Sequence, residues 1–206
     1  MSTTTELSFI HRFRPATQPG RPPLLLLHGT GGNEDDLLSL GTMISSGSAQ
    51  LSPRGKVLEG GMSRFFRRLR EGVFDEEDVR RRAHELADFI AQARESYSLA
   101  APIAVGFSNG ANIAAAVLQL RPEALAGAAL LRAMVPLQDP PAADLTGKPV
   151  LILSGASDPI VPAENAKRLA SLLQTAGATV EHRVLPTGHG LSQTDVALTK
   201  TWIDQL

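Results

Sequence analysis

The chain has 206 residues and no cysteine, which excludes a disulfide framework, a thiolate zinc site and a cysteine nucleophile together. It lacks a long apolar run: the longest, Ala124 to Leu131, stops at Arg132 and falls far short of the roughly 18 residues that suggest a membrane span. It also lacks an excess of one charge. Twenty Lys and Arg face 21 Asp and Glu, a formal charge of −1, so no global field draws it to nucleic acid or an acidic membrane. Any partner must be recognised locally. Met1 to Ile10 is polar and threonine-rich, without the basic leader or apolar stretch of a signal peptide. The expectation is an unprocessed, soluble, cytoplasmic protein. No repeat or low-complexity segment is present, and Arg80, Arg81 and Arg82 read as a solvated helix face.

What is there fits a globular α/β protein. Hydrophobic residues make up 43% and charged residues 20%, enough to bury a core, and the length suggests one domain over 1–206. Short apolar runs alternate with helical patterns, which implies a mainly parallel sheet with helices on both faces. Buried strands are expected at Pro23 to Leu27, Pro102 to Phe107 and Val150 to Ser154. Val180 to Leu185 and Leu7 to Phe13 read as more polar strands near the edges. Asp75 is placed to cap a helix whose Val79, Ala83, Leu86, Ile90 and Tyr97 recur at helical spacing, with Glu76, Glu77 and Asp78 at its positive end. Further helices are expected from Asn109 to Leu120, before Pro122, and from Ala163 to Ala176, before Gly177. Ser192 and Asp195 form a capping-box pattern for a last helix that carries Val196, Thr199 and Ile203 inward.

The chemistry gathers where strands end. Gly106-Phe107-Ser108-Asn109-Gly110 is a G-x-S-x-G pentapeptide between a buried strand and a helix rich in small residues. A nucleophilic serine at such a turn sits in strained backbone, and small residues two before and two after it let strand and helix approach. The bland reading of Ser108 is a helix N-cap hydroxyl. A serine hydroxyl needs an imidazole to take its proton, and the imidazole needs an acceptor to set its tautomer. Both follow in the order acid then histidine. Asp158 lies in Gly155-Ala156-Ser157-Asp158-Pro159, just after one strand, and His189 in Gly188-His189-Gly190, just after the next. Of the five histidines only His182 and His189 follow Asp158, and His182 falls inside a strand. Asp139 and Asp144 flank a proline-rich connection and suit a triad less well.

A tetrahedral intermediate needs two aimed donors for its oxyanion. His28-Gly29-Thr30-Gly31-Gly32 after the first buried strand supplies one candidate amide, Thr30, and Asn109 after the nucleophile supplies the other. His28 precedes the serine and reads as a residue that organises this loop by hydrogen bonding. The stretch lacks the Lys and Ser or Thr of a P-loop, and a third dinucleotide glycine would fall at Glu34. His84-Glu85 begins a zinc-protease pattern, but Asp88 stands where its second histidine is required. No metal is expected.

These motifs, together with Ser52-Pro53-Arg54-Gly55 and Arg64-Phe65-Phe66-Arg67-Arg68, resemble the phospholipase/carboxylesterase family of α/β-hydrolases, particularly small bacterial carboxylesterases that include catechol- and hydroquinone-linked hydrolases. The resemblance runs from about Pro23 to the C-terminal helix. It implies the α/β-hydrolase fold and a cofactor-free serine esterase acting on small esters, with Ser108, Asp158 and His189 as triad and Thr30 and Asn109 at the oxyanion hole. It also implies a homodimer. Protein-depalmitoylating relatives usually carry glutamine where this chain has Asn109. The absence of a long insertion between Ser108 and Asp158 argues against a large cap domain. Met62, Phe65 and Phe66 either wall the substrate pocket or pack beneath a loop running from Leu58 to Asp75, and Arg54 and Arg64 are candidates to meet an anionic substrate group. The competing functions are a lysophospholipase or acyl thioesterase of the same fold and a catalytically silent binding protein.

Overall fold

Four consecutive leucines form β2 (Leu24–Leu27), and all four are buried, as a parallel strand covered by helices on both faces requires. In the computed structural model, which describes residues 7–206, β2 is one of seven strands of a single sheet. Three further central strands are buried apart from half-buried Phe107 and Pro149: β8 (Ile103–Phe107), β9 (Gly127–Leu131) and β10 (Pro149–Gly155). At one side lie β3 (Gln50–Pro53) and the edge strand β1 (His11–Arg14), at the other β11 (Thr179–Leu185). The order is β1-β3-β2-β8-β9-β10-β11, and only the β1–β3 pairing is antiparallel.

Side-chain alternation divides the core into two layers. Leu25, Leu27, Ala104, Leu130 and Ile152 pack on one face against α2 (Glu76–Tyr97), α3 (Asn109–Leu120) and α4 (Ala163–Thr175). Leu24, Leu26, Val105, Leu131 and Leu153 pack on the other against α1 (Leu38–Ile44) and α5 (Gln193–Ile203). Successive residues of one strand thus serve opposite layers. Among the described residues no helix is long and apolar enough to cross a membrane.

The strands expected from the sequence all occur, with the one expected over Leu7 to Phe13 shortened and shifted to β1, which starts at His11 and ends at Arg14, and Val180 to Leu185 lying at the other edge. The caps occur as well. Asp75 accepts the Asp78 amide at 3.1 Å, and Ser192 with Asp195 closes a full capping box. Asp78 is buried rather than simply placed near the helix dipole: its carboxylate accepts the Arg67 amide at 2.8 Å and is paired with Arg81 and Arg82. Asp75→Ala leaves one first-turn amide of α2 without its partner and is expected to lower stability by about 1 kcal/mol, read as a shift in urea midpoint at constant m-value.

Three segments differ from expectation. The end of the run Ala124 to Leu131 is a strand, β9, at the middle of the sheet. Helix α1 and strand β3 arise in a stretch that had no assigned element. The connection between Leu58 and Asp75 is two antiparallel hairpins, β4 (Val57–Glu59) with β5 (Met62–Arg64), and β6 (Arg68–Arg70) with β7 (Val73–Phe74). Each strand there has two or three residues, too few for alternation to register in the sequence.

Candidate active site

In a parallel sheet the carboxyl ends of the strands share one rim, and loops that follow them meet there. Residues 28–32 follow β2, Ser108 follows β8, Arg132 follows β9, Asp158 follows β10 and His189 follows β11. The loops after these five parallel strands therefore deliver the side chains to one rim of the sheet although they are distant in sequence.

Ser108 joins β8 to α3 with φ 53° and ψ −114°, a sparsely populated conformation for any residue with a Cβ. Its hydroxyl makes no N-cap bond, so the bland reading of Ser108 as a helix cap does not hold. Its amide donates to the Leu131 carbonyl at 2.8 Å, which ties the turn to the end of β9. The close approach of strand and helix leaves no room beside the two glycines. A Cβ on Gly106 would sit 2.6 Å from the Ala111 backbone, and one on Gly110 would sit 2.0 Å from the Leu27 carbonyl oxygen.

His189 Nε2 lies 2.9 Å from Ser108 Oγ, and His189 Nδ1 lies 2.8 Å from Asp158 Oδ2. A carboxylate only accepts, so Nδ1 carries the proton and Nε2 accepts from the serine hydroxyl. The Asp158 side chain is fully buried. Burial pushes its carboxyl up, but the bond from His189 and the amides of Ile160 and Val161 outweigh that and hold it below the usual carboxylate range. It is ionised at neutral pH and able to fix the tautomer. The rival groups are elsewhere. Asp139 and Asp144 are exposed. His182, within β11, bonds to Ser154 Oγ at 2.7 Å across the β10–β11 pairing, and burial pushes its imidazole down. This second serine–histidine pair lacks a carboxylate partner among the described residues, and neither residue lines the cavity that contains Ser108.

The glycine-rich loop after β2 is held by His28. Its Nε2 accepts the Gly55 amide at 3.0 Å, so Nδ1 donates to the Gly29 carbonyl at 2.6 Å; burial pushes this imidazole down, which keeps it neutral. From the hairpins, the Ser63 carbonyl accepts the Gly31 amide at 2.9 Å and Arg64 Nη1 donates to Thr30 Oγ1 at 2.7 Å. The Thr30 and Asn109 amides are without a protein partner among the described residues, and both residues line the cavity that contains Ser108 and His189. The Asn109 side chain faces another way: its Oδ1 accepts the Phe65 amide at 2.7 Å.

That cavity has a volume of about 320 Å³ and apolar walls from Phe74, Phe107, Met134, Ile160 and Val161. The expected pocket residues Met62, Phe65 and Phe66 do not line it. Phe65 and Phe66 are 3% and 0% exposed and pack on His28 and Phe74, with ring centroids 4.7 and 5.0 Å apart. Met62 is exposed beside Gly31. Two adjacent phenylalanines in a loop read equally as wall or core from sequence; here they lie between β5 and β6, where the Phe65 amide is held by Asn109 and both rings are buried. Arg54 is bound to Glu34 by two bonds of 2.5 and 2.8 Å and is not at the cavity. Arg64 and Arg68 are at its wall, and they share the Glu59 carboxylate.

Comparisons with known proteins agree with this geometry. The family model described as Phospholipase/Carboxylesterase matches residues 11–206. MhqD of Bacillus subtilis (strain 168) is 46% identical over 181 residues, covering 87% of this chain and 90% of its own. The crystal structure of the Bacillus cereus carboxylesterase superposes with a TM-score of 0.94 at 44% identity, over 96% of this chain and 94% of that one. A carboxylesterase from Mesorhizobium loti gives a TM-score of 0.92 at 31% identity over 98% and 97% of the two chains. The sheet, the helices on its two faces and the lack of a large cap are those of the α/β-hydrolase fold. The chain belongs to the phospholipase/carboxylesterase family, as an α/β-hydrolase that acts on esters.

Proposed function

We propose that the chain is a serine carboxylesterase in which Ser108 is the nucleophile, His189 the general base and then acid, and Asp158 the group that orients the imidazole. The observation that carries this is the continuous hydrogen-bonded line Ser108–His189–Asp158, with bonds of 2.9 and 2.8 Å, ending in a buried carboxylate. As Ser108 Oγ attacks the ester carbonyl, its proton passes to His189 Nε2. The amides of Thr30 and Asn109 receive the oxyanion, each such donor supplying about 3 kcal/mol in the transition state. His189 then protonates the departing alkoxide, leaving an acyl-Ser108. Water attacks the acyl carbon, gives one proton to His189, and the returning proton restores the Ser108 hydroxyl.

The pocket favours small substrates. A volume of about 320 Å³ lies at the low end of the usual range for ligand sites, about 300 to 1,000 Å³. Five apolar side chains suit a short acyl group or an aromatic ring. A lysophospholipid or a long acyl thioester would have to leave much of its chain outside. The test is a panel of p-nitrophenyl esters of increasing acyl length, acyl thioesters and lysophospholipids, run beside labelling with a fluorophosphonate probe. Acetyl and butyryl aryl esters are expected to be cleaved faster than dodecanoyl esters, thioesters and lysophospholipids, with the label on Ser108. A preference for the long chains defeats the substrate assignment, and a protein that takes no label defeats the mechanism.

A further inference from the structure

We propose that Arg132 is a positioning residue for ester hydrolysis: its buried guanidinium fixes the loop that carries His189 and thereby the Ser108–His189 hydrogen bond. The proposal rests on the assignment of His189 as the base. Arg132 is 0% exposed, and a buried cation is costly unless it is paired and hydrogen-bonded. Its pairing is complete. Nη1 and Nη2 donate to the two Asp195 oxygens at 2.8 and 2.9 Å, and Nη1 also reaches the Leu153 carbonyl at 3.2 Å. The remaining bonds go to one short segment: Nε to the Gly188 carbonyl at 3.0 Å, and Nη2 to Thr187 Oγ1 at 3.0 Å and the Gly190 carbonyl at 3.1 Å. Gly188 and Gly190 are the two neighbours of His189.

The loop depends on these contacts. Two glycines beside the histidine make its free backbone unusually mobile, so ordering it costs more entropy than for other residues. Among the described residues, the Gly188 and Gly190 carbonyls have no hydrogen-bond donor other than Arg132. The other end of the connection is the nucleophile. Leu131, the residue before Arg132, accepts the Ser108 amide at 2.8 Å, and the Arg132 amide donates to Leu153 at 2.9 Å. Arg132 itself has φ 58°, a left-handed conformation that L-residues adopt at a cost. Its backbone is thus attached to the serine turn and its side chain to the histidine loop. Asp195 completes the linkage, since Oδ2 also accepts the Ser192 amide and hydroxyl at 2.8 and 2.7 Å, which registers both against the start of α5. A planar fork with five donors can serve a carboxylate and several carbonyls at once; an ammonium cannot.

Arg132→Lys keeps the charge opposite Asp195 and removes the fork. With a short p-nitrophenyl ester, kcat is expected to fall about 100-fold, the scale of a misplaced catalytic group, while KM stays within about 3-fold. The rate of fluorophosphonate labelling at Ser108 falls in parallel, in a protein whose Tm remains well above the assay temperature. Thr187→Val, which removes a single hydroxyl contact, serves if the lysine variant does not fold, and is expected to lower kcat about 10-fold at unchanged KM. Near-normal kcat in the folded variant overturns the proposal, as does a loss carried by KM or one that disappears on cooling. If wild-type Ser108 is not labelled, or Ser108→Ala remains active, the assignment of the base is at fault; if Ser108 is essential and Arg132→Lys is fully active, only the role of Arg132 falls.

Discussion

Ser108→Ala is expected to lower kcat/KM for a short aryl ester by on the order of 10⁴-fold or more, with no loss of structure. In the proposed mechanism the hydroxyl becomes bonded to the acyl carbon, so its removal would leave only binding and the oxyanion donors to act. The fold is indifferent to it. Among the described residues Ser108 Oγ hydrogen-bonds to His189 alone, and alanine meets the same backbone requirement at φ 53° as serine does. His189→Ala should cost a similar factor, and the double variant little more than either single one, because nucleophile and base work as a unit. Steady-state kinetics beside circular dichroism decides the matter. A folded Ser108→Ala protein within 10-fold of wild type would exclude the mechanism: the chain has no cysteine, the Thr30 hydroxyl at the cavity is held by Arg64, and Ser154 is engaged with His182.

Gly110→Val is expected to have the largest effect on stability, about 3 kcal/mol or more, or to prevent folding at 37 °C. The first side-chain carbon alone would lie 2.0 Å from the Leu27 carbonyl oxygen and 2.6 Å from that of His28. Both are backbone atoms at the end of the central strand β2, where a flexible side chain cannot move aside. Any shift that relieves the clash pushes the loop 28–32 away from Ser108, so activity should be lost even where some folded protein survives. Gly190→Ala is the control, because a Cβ there meets nothing within 4 Å and stability should hold within about 0.5 kcal/mol. Urea denaturation of the two variants tests the contrast. Equal midpoints would show that strand and helix have slack at the serine turn.

Much of the architecture was legible in the sequence because it is written in short-range signals. Buried parallel strands read as continuous apolar runs, and Leu24–Leu27 and Val150–Ser154 are such runs; helix ends read through Asp75, Pro122, Gly177 and the Ser192–Asp195 box. Strand β9 was harder, since Gly127-Ala128-Ala129 has small residues without β-branched or aromatic character, and its strand identity comes from pairing with β8 and β10. The hairpins failed for the opposite reason. Arg64, Arg68 and Arg70 break the apolar pattern, and Arg64 is buried only because Thr30 and the Phe66 carbonyl accept from it and Glu59 lies nearby. Arg132 had one faint signal, a charge that ends the longest apolar run; a lone arginine there reads as the strand reaching solvent.

The residue types and their order along the chain, G-x-S-x-G, then acid, then a glycine-flanked histidine, were set by the sequence alone, because each belongs to a strand-to-loop junction recognisable within a few neighbours. Which side chains wall the cavity, and which buried arginine is hydrogen-bonded to the histidine loop, only the tertiary structure decided. Those outcomes depend on contacts between segments 34 to 63 residues apart, such as Arg64 with Thr30 and Arg132 with Asp195. Burying a charge is tolerable only where distant partners converge on it, and no local pattern records that convergence.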